Sequence, residues 1–173
     1  MNGVKLRGEV NRPDADFGHA AKSHWFLMMT GQMTDNASLT KASRDGARKV
    51  LNTSFKRKAG AWSNGFLKNG KPDQNRNSWI FAEQNQLLAS LALTEPRLQG
   101  ILSNTYGYWL SKFPDKTYKG VFDAVDSQGN PVRTSGVPKH WAWKSGFHEF
   151  EHALVAYITS SQFEGKPLTL HYV

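Results

Sequence analysis

Apolar residues recur at helical spacing in five stretches of the chain, separated by segments rich in Gly, Asn and charge. In the first, Phe17, Ala21, Trp25 and Met28 fall three or four positions apart. They predict a helix that opens at Asp16-Phe17-Gly18-His19 and stops at Gly31 or shortly after. A second helix is predicted from near Asp35 or Ser38 to about Asn52, with Leu39, Ala42, Ala47, Val50 and Leu51 inward and its Lys and Arg outward. Ser78 is placed to cap a third, Trp79 to Leu93. Thr94-Glu95-Pro96 opens a fourth that ends near Lys112-Phe113-Pro114. A fifth begins near Gly146 and fades by Phe163, and its period gives Phe147, Phe150, Leu154, Tyr157 and Ile158 as the buried stripe.

The connections carry turn chemistry. Residues 56–77 read as a long loop or short hairpin around Asn69-Gly70. Lys119 to Arg133 reads as a hairpin turning at Ser127-Gln128-Gly129-Asn130-Pro131, and a strand-like tail, Leu168 to Tyr172, follows Pro167. The expectation is one all-α domain over residues 1–173, with short β-hairpins in the loops and function on the loop side.

Composition adds limits. A chain of 173 residues can bury roughly two-thirds of its unfolded surface, so a staple is not needed for stability. With no cysteine, thiolate zinc sites and thiol nucleophiles are ruled out. The N-terminal residues hold no long apolar run, so neither a signal peptide nor a membrane span is expected, and a soluble, cytoplasmic protein is. The net charge of +8 is concentrated between Lys41 and Arg76, where ten basic residues face only Asp45 and Asp73. No helix-turn-helix, zinc-finger or RNA-stacking signature surrounds that stretch. It is read as a solvated basic face, with a polyanion surface as the alternative and nucleic acid not expected as a partner.

Three places carry candidate chemistry. His148, Glu149 and His152 spell H-E-x-x-H, which on a helix directs two imidazoles at one metal with the Glu as base. A third ligand does not follow at the usual spacing: position 158 is Ile and Glu164 lies at the helix end, which leaves His171 as the remaining candidate. A zinc hydrolase using His148 and His152 is therefore the lesser alternative, and no metal or cofactor is expected. Trp79, Glu83, Gln86 and Ser90 share one helix face, a stripe suited to an aromatic-lined polar cavity in which an indole stacks on a sugar and a carboxylate takes its hydroxyls. On the first helix, His19 and His24 face different ways, and His19 lies at the loop-side start.

Taken in order, Phe17-Gly18-His19 leading to Trp25-Phe26-Leu27, then Trp79-Ile80-Phe81-Ala82-Glu83, then Trp143-Lys144-Ser145-Gly146-Phe147-His148 resemble the C-terminal half of the N-acylglucosamine 2-epimerase family, which includes cellobiose 2-epimerases and mannose-type aldose–ketose isomerases. The resemblance implies an (α/α)6 barrel and a small-molecule carbohydrate substrate held open-chain. It also implies two histidines, His19 and His148, acting as base and acid through an enediolate. Trp79 and Trp143 become stacking walls, and Glu83 a hydroxyl ligand or ring-opening aid.

The chain departs from the family pattern in two respects. Lys22 stands where the family has a carboxylate, and it is expected to hold an acidic sugar such as a uronate or sulfonate. Five helices where the family barrel has twelve make a partial barrel, half of the toroid. Such a half exposes faces that want covering, so a homo-oligomer or a complementary half-barrel chain is expected as partner. The alternative is a non-catalytic carbohydrate-binding or remnant half-barrel.

Overall fold

The computed structural model describes residues 16–132, 139 and 144–171. Five α-helices dominate: α1 (Phe17–Met33), α2 (Ala37–Ser54), α3 (Ser78–Ala92), α4 (Gln99–Lys112) and α5 (Phe147–Phe163). Two two-stranded ribbons fill the connections. One pairs β1 (Phe55–Lys56) with β2 (Ala61–Trp62), the other β3 (Arg76–Asn77) with β4 (Ala124–Val125), both antiparallel.

Helix α3 is the axis of the molecule. Every residue in it except Trp79 and Ser90 is buried, including the four consecutive polar residues Glu83, Gln84, Asn85 and Gln86. It packs on α1 along one side and α5 along the other. α2 covers α1, and α4 covers α3. Matched contacts show that α1, α3 and α5 run in the same direction. His19 and His148 both meet Trp79 near the helix starts, Asn85 meets His152 deeper in, and Trp25 meets Ser90 deeper still. The aromatic core lies between α3 and α4. There Phe81 stacks on Tyr108 at 5.5 Å, and Phe113 packs edge-on to Phe81 at 5.3 Å and against Trp109 at 4.5 Å. Each such buried ring contributes on the order of 2–3 kcal/mol of transfer free energy.

The five helices stand where the apolar periodicity places them, and the local chemistry of their ends explains the small differences. Asn36 caps α2, its side chain accepting from the Leu39 N–H at 3.0 Å. Ser78 is the first residue of α3, not its cap. The cap position belongs to Asn77, whose side chain is engaged by Asn64 at 2.8 Å. Pro96–Leu98 forms a 3-10 turn leading into α4. The turn at Asn69-Gly70 forms as expected, closed by Leu67 N–H to the Lys71 carbonyl and Gly70 N–H to the Leu67 carbonyl. Within residues 119–132 the expected hairpin forms over a short length, with Val125 opposite Pro131 and the Val132 N–H on the Ala124 carbonyl, while β4 also pairs with β3. Residues 168–171 form no strand, and Tyr172 lies outside the described residues.

Two expectations are corrected. Phe147, Phe150 and Tyr157 are exposed by 58, 74 and 45%, so they are not the buried stripe of α5. The buried residues of α5 are instead His152, which meets Asn85 of α3, with Thr159 and Ser161, a polar choice that apolar periodicity cannot reveal. The basic stretch is also not simply a solvated face. Arg76 is buried, donating to the carbonyls of Gln74 and Asp126, and Arg48 is bound to Asp45 and Glu95.

The α1–α2 crossing depends on Gly31. A Cβ there would lie 2.8 Å from the Thr40 backbone nitrogen and 2.5 Å from its hydroxyl, atoms that α2 holds in place. Gly31→Ala is expected to destabilise the fold by about 1–3 kcal/mol through overpacking, outweighing the roughly 1 kcal/mol gain in helix propensity. Denaturant melts of the two proteins check this, and a stabilised variant would contradict the close crossing.

Candidate functional site

The starts of α1, α3 and α5 bring seven side chains together. Asp16 caps α1, accepting from the His19 N–H at 2.8 Å, and its second oxygen takes the His19 ring through Nδ1 at 2.5 Å. The His19 ring packs edge-on to Trp79 with centroids 5.0 Å apart. Trp79 can lie so close to α1 because Gly18 has no side chain; a Cβ would fall 2.6 Å from the indole. On the other side of Trp79, the His148 ring is 5.7 Å away, its Nδ1 donating to Glu83 Oε1 at 2.8 Å. Both imidazoles thus have Nδ1 on a carboxylate, which leaves Nε2 of each as the free acceptor.

Glu83 is 1% exposed and lies at the centre. Its Oε2 is 3.1 Å from Lys22 Nζ, a charge contact without an aligned hydrogen bond. Lys22 donates its aligned bond to Glu151 Oε2 at 2.7 Å, and its ammonium lies 5.1 Å from the Trp25 ring, 5.3 Å from Phe26 and 5.8 Å from Phe147. A carboxylate this deeply buried requires a compensating charge, and Lys22 supplies it. Glu149 points elsewhere, paired with the buried Lys144. The Asp123 carboxyl, raised above the ordinary range chiefly by burial, has Lys144 opposing that shift.

The sequence-derived candidates His19, Lys22, Trp79, Glu83 and His148 therefore converge, whereas Trp143 lies outside the described residues. Two participants were not among them. Asp16 is legible as a cap residue three positions before His19, and Glu151 sits three positions after His148 on the same face of α5.

His152, the other half of the H-E-x-x-H spelling, does not join His148. It is buried, with its ring stacked 4.8 Å from Tyr106 and tilted against Trp109 at 4.4 Å, and its Nε2 accepts from Asn85 Nδ2 at 2.9 Å. Asn85 in turn accepts from Trp62 Nε1 at 2.8 Å. The ligand atoms that do converge are those of Glu83, His148 and Glu151, within 4.8 Å of one another. The cation among them is the ammonium of Lys22.

No protein-family model matches the chain, and no curated protein sequence matches it either. Solved structures do. Cellobiose 2-epimerase from Spirochaeta thermophila DSM 6192 superposes with a TM-score of 0.73 at 18% identity, over 87% of this chain and 38% of that one. A D-mannose isomerase gives 0.71 at 14% identity, over 84% of this chain and 37% of its own. Cellobiose 2-epimerase from Bacillus thermoamylovorans B4167 gives 0.71 at 18% identity, over 82% and 36%. The chain thus spans well under half the length of the structures it matches. No helix among the described residues is long and apolar enough to cross a membrane.

Burial lowers the His152 pKa to about 4, with Glu149 opposing the shift. The unfolded chain binds that proton near the ordinary 6.5, so the stability that neutral His152 contributes is intact above pH 6.5 and is lost as pH falls toward 4. The loss amounts to about 3 kcal/mol. His152→Gln is expected to flatten the pH 4–6.5 limb of the stability curve in denaturant melts; an unchanged slope would assign the limb to another group. The fold that carries this site is a partial helical barrel of the kind seen in cellobiose 2-epimerases and D-mannose isomerase.

Proposed function

We propose that this chain is a sugar isomerase- or epimerase-like protein acting on an open-chain carbohydrate by histidine-mediated proton transfer. The observation that supports this reading is the pair His19 and His148, each with Nδ1 on a carboxylate and both against the Trp79 indole. An imidazole oriented in this way presents Nε2 as a base near neutral pH and can return the proton as an acid. One Nε2 takes the proton from the carbon beside the carbonyl. The electron pair of that C–H bond becomes the C=C bond of the enediolate, and the carbonyl π pair moves onto oxygen. Proton return to the former carbonyl carbon, with the hydroxyl proton of the neighbouring carbon passing to the former carbonyl oxygen, gives the ketose, and return to the opposite face of the first carbon gives the epimer. Trp79 serves as a stacking surface for sugar C–H bonds.

The side chain of His19 is 79% exposed, so the pocket needs a further wall. A second copy of the chain or a complementary half-barrel supplies it in this reading, over the exposed Phe26, Met29 and Met33 of α1 and Phe147 and Phe150 of α5. The competing reading, a sugar-binding remnant without catalysis, is favoured by the same exposure.

Incubation in heavy water with a panel of neutral and acidic aldoses and ketoses is expected to place deuterium at C2 of at least one, read by NMR. His148→Ala is expected to slow that exchange on the order of 10²–10⁴-fold. Binding of a sugar without any exchange would establish the remnant reading instead. Light scattering is expected to give a mass above 19.4 kDa at micromolar concentration, and a monodisperse monomer would remove the self-association part of the proposal.

A further inference from the structure

We infer that Lys22 is a positioning residue for His148, acting through Glu83, and that it is not a ligand for an acidic sugar. The inference rests on the proton-transfer reading above for its catalytic consequence, but not for its structural content.

The ammonium of Lys22 is already engaged. It lies 2.7 Å from Glu151 Oε2 and 3.1 Å from Glu83 Oε2, with the rings of Trp25, Phe26 and Phe147 around it, and the side chain is 19% exposed. Two carboxylates share one cation, so recruiting it to an external anion would leave the Glu83 charge buried without compensation.

What Lys22 does control is the orientation of Glu83. That carboxylate has two oxygens and two partners on different helices, Lys22 of α1 at Oε2 and His148 of α5 at Oε1. Holding Oε2 toward α1 directs Oε1 toward α5, where it receives the Nδ1–H of His148. Of the other charges near the start of α5, Glu149 is taken by Lys144 and Glu151 by Lys22, so Glu83 is the carboxylate that fixes the His148 ring. The arrangement selects one tautomer, Nδ1–H with a free Nε2, before any substrate arrives. Without the ammonium, the carboxylate is free to turn about its last torsion, and the imidazole loses the partner that defines which nitrogen carries the proton.

The test reads the tautomer directly, by two-bond 1H–15N correlation of the imidazole ring at neutral pH, with Lys22→Met and Lys22→Gln compared to the unmodified protein. The unmodified protein is expected to show distinct protonated Nδ1 and unprotonated Nε2 signals for His148. In the variants the two shifts are expected to move toward a common averaged value. Glu151→Gln, which leaves the Lys22–Glu83 contact in place, is expected to keep the distinct pair. Circular dichroism identifies which variants are folded, and Gln retains an N–H donor should Met prevent folding.

A folded Lys22 variant with the unmodified nitrogen pattern would overturn the inference. So would an equal loss in Glu151→Gln, which would assign the effect to the α1–α5 link as a whole. Where sugar-dependent deuterium exchange is measurable, the Lys22 variants are expected to slow it on the order of tenfold to a hundredfold, as for a misplaced reacting group. Absence of exchange in the unmodified protein would sink the functional proposal and leave the nitrogen readout standing.

Discussion

A carboxylate buried in the second turn of the central helix is the constraint around which this molecule is organised. Glu83 is almost entirely excluded from solvent, on a helix that also buries Phe81, Ala82, Leu87 and Leu88. Such a charge is tolerable only if both oxygens are met by partners of the right character. Those partners arrive from the two flanking helices, an ammonium from α1 and an imidazole N–H from α5. Side-chain chemistry at one residue therefore links three helices whose apolar packing alone would leave their axial register less defined.

A turn further along α3, a second polar connection does similar work with neutral groups. Asn85 takes the Trp62 indole N–H and gives its own amide hydrogen to His152. Every member is buried, and the imidazole stacks on Tyr106 and packs against Trp109. A satisfied network of this kind costs little and fixes α5 against α3 one turn below His148. The two connections together define where the His148 ring can be.

Much of the architecture was legible in the sequence because it follows from local period and turn chemistry. The five helices and the Asn69-Gly70 turn belong to that class, and so does the Trp79–Glu83 stripe. The face of α5 was not legible. Its aromatic residues suggest burial, yet the partner helix presents Asn85 and Glu83, so α5 turns His148 and His152 toward α3 and leaves Phe147 and Phe150 outside. Which side of an amphipathic helix is inward depends on the neighbour, and a single helix does not encode its neighbour. Glu151 was missed for a related reason: a charged residue beside a helix start reads as solvated until a lysine 129 positions away is found against it. Arg76 belongs to the same class, being counted as surface charge when it is buried, and the part-exposed Arg48 braces α2 against Glu95.

That α1, α3 and α5 run in the same direction has an electrostatic consequence. Parallel helices add their dipoles, so their amino-terminal ends place about half a positive charge each in one small region. Left alone, the three ends would repel one another. Asp16, the cap of α1, and Glu149, in the first turn of α5, lie where that charge is strongest, and they offset part of the repulsion. The acidic residues near the two imidazoles thus belong to the stability of the helix array as much as to the histidines they touch. Removing several of them would be felt as mutual repulsion among three helix ends, while a group that gains negative charge between those ends would gain it in a favourable field.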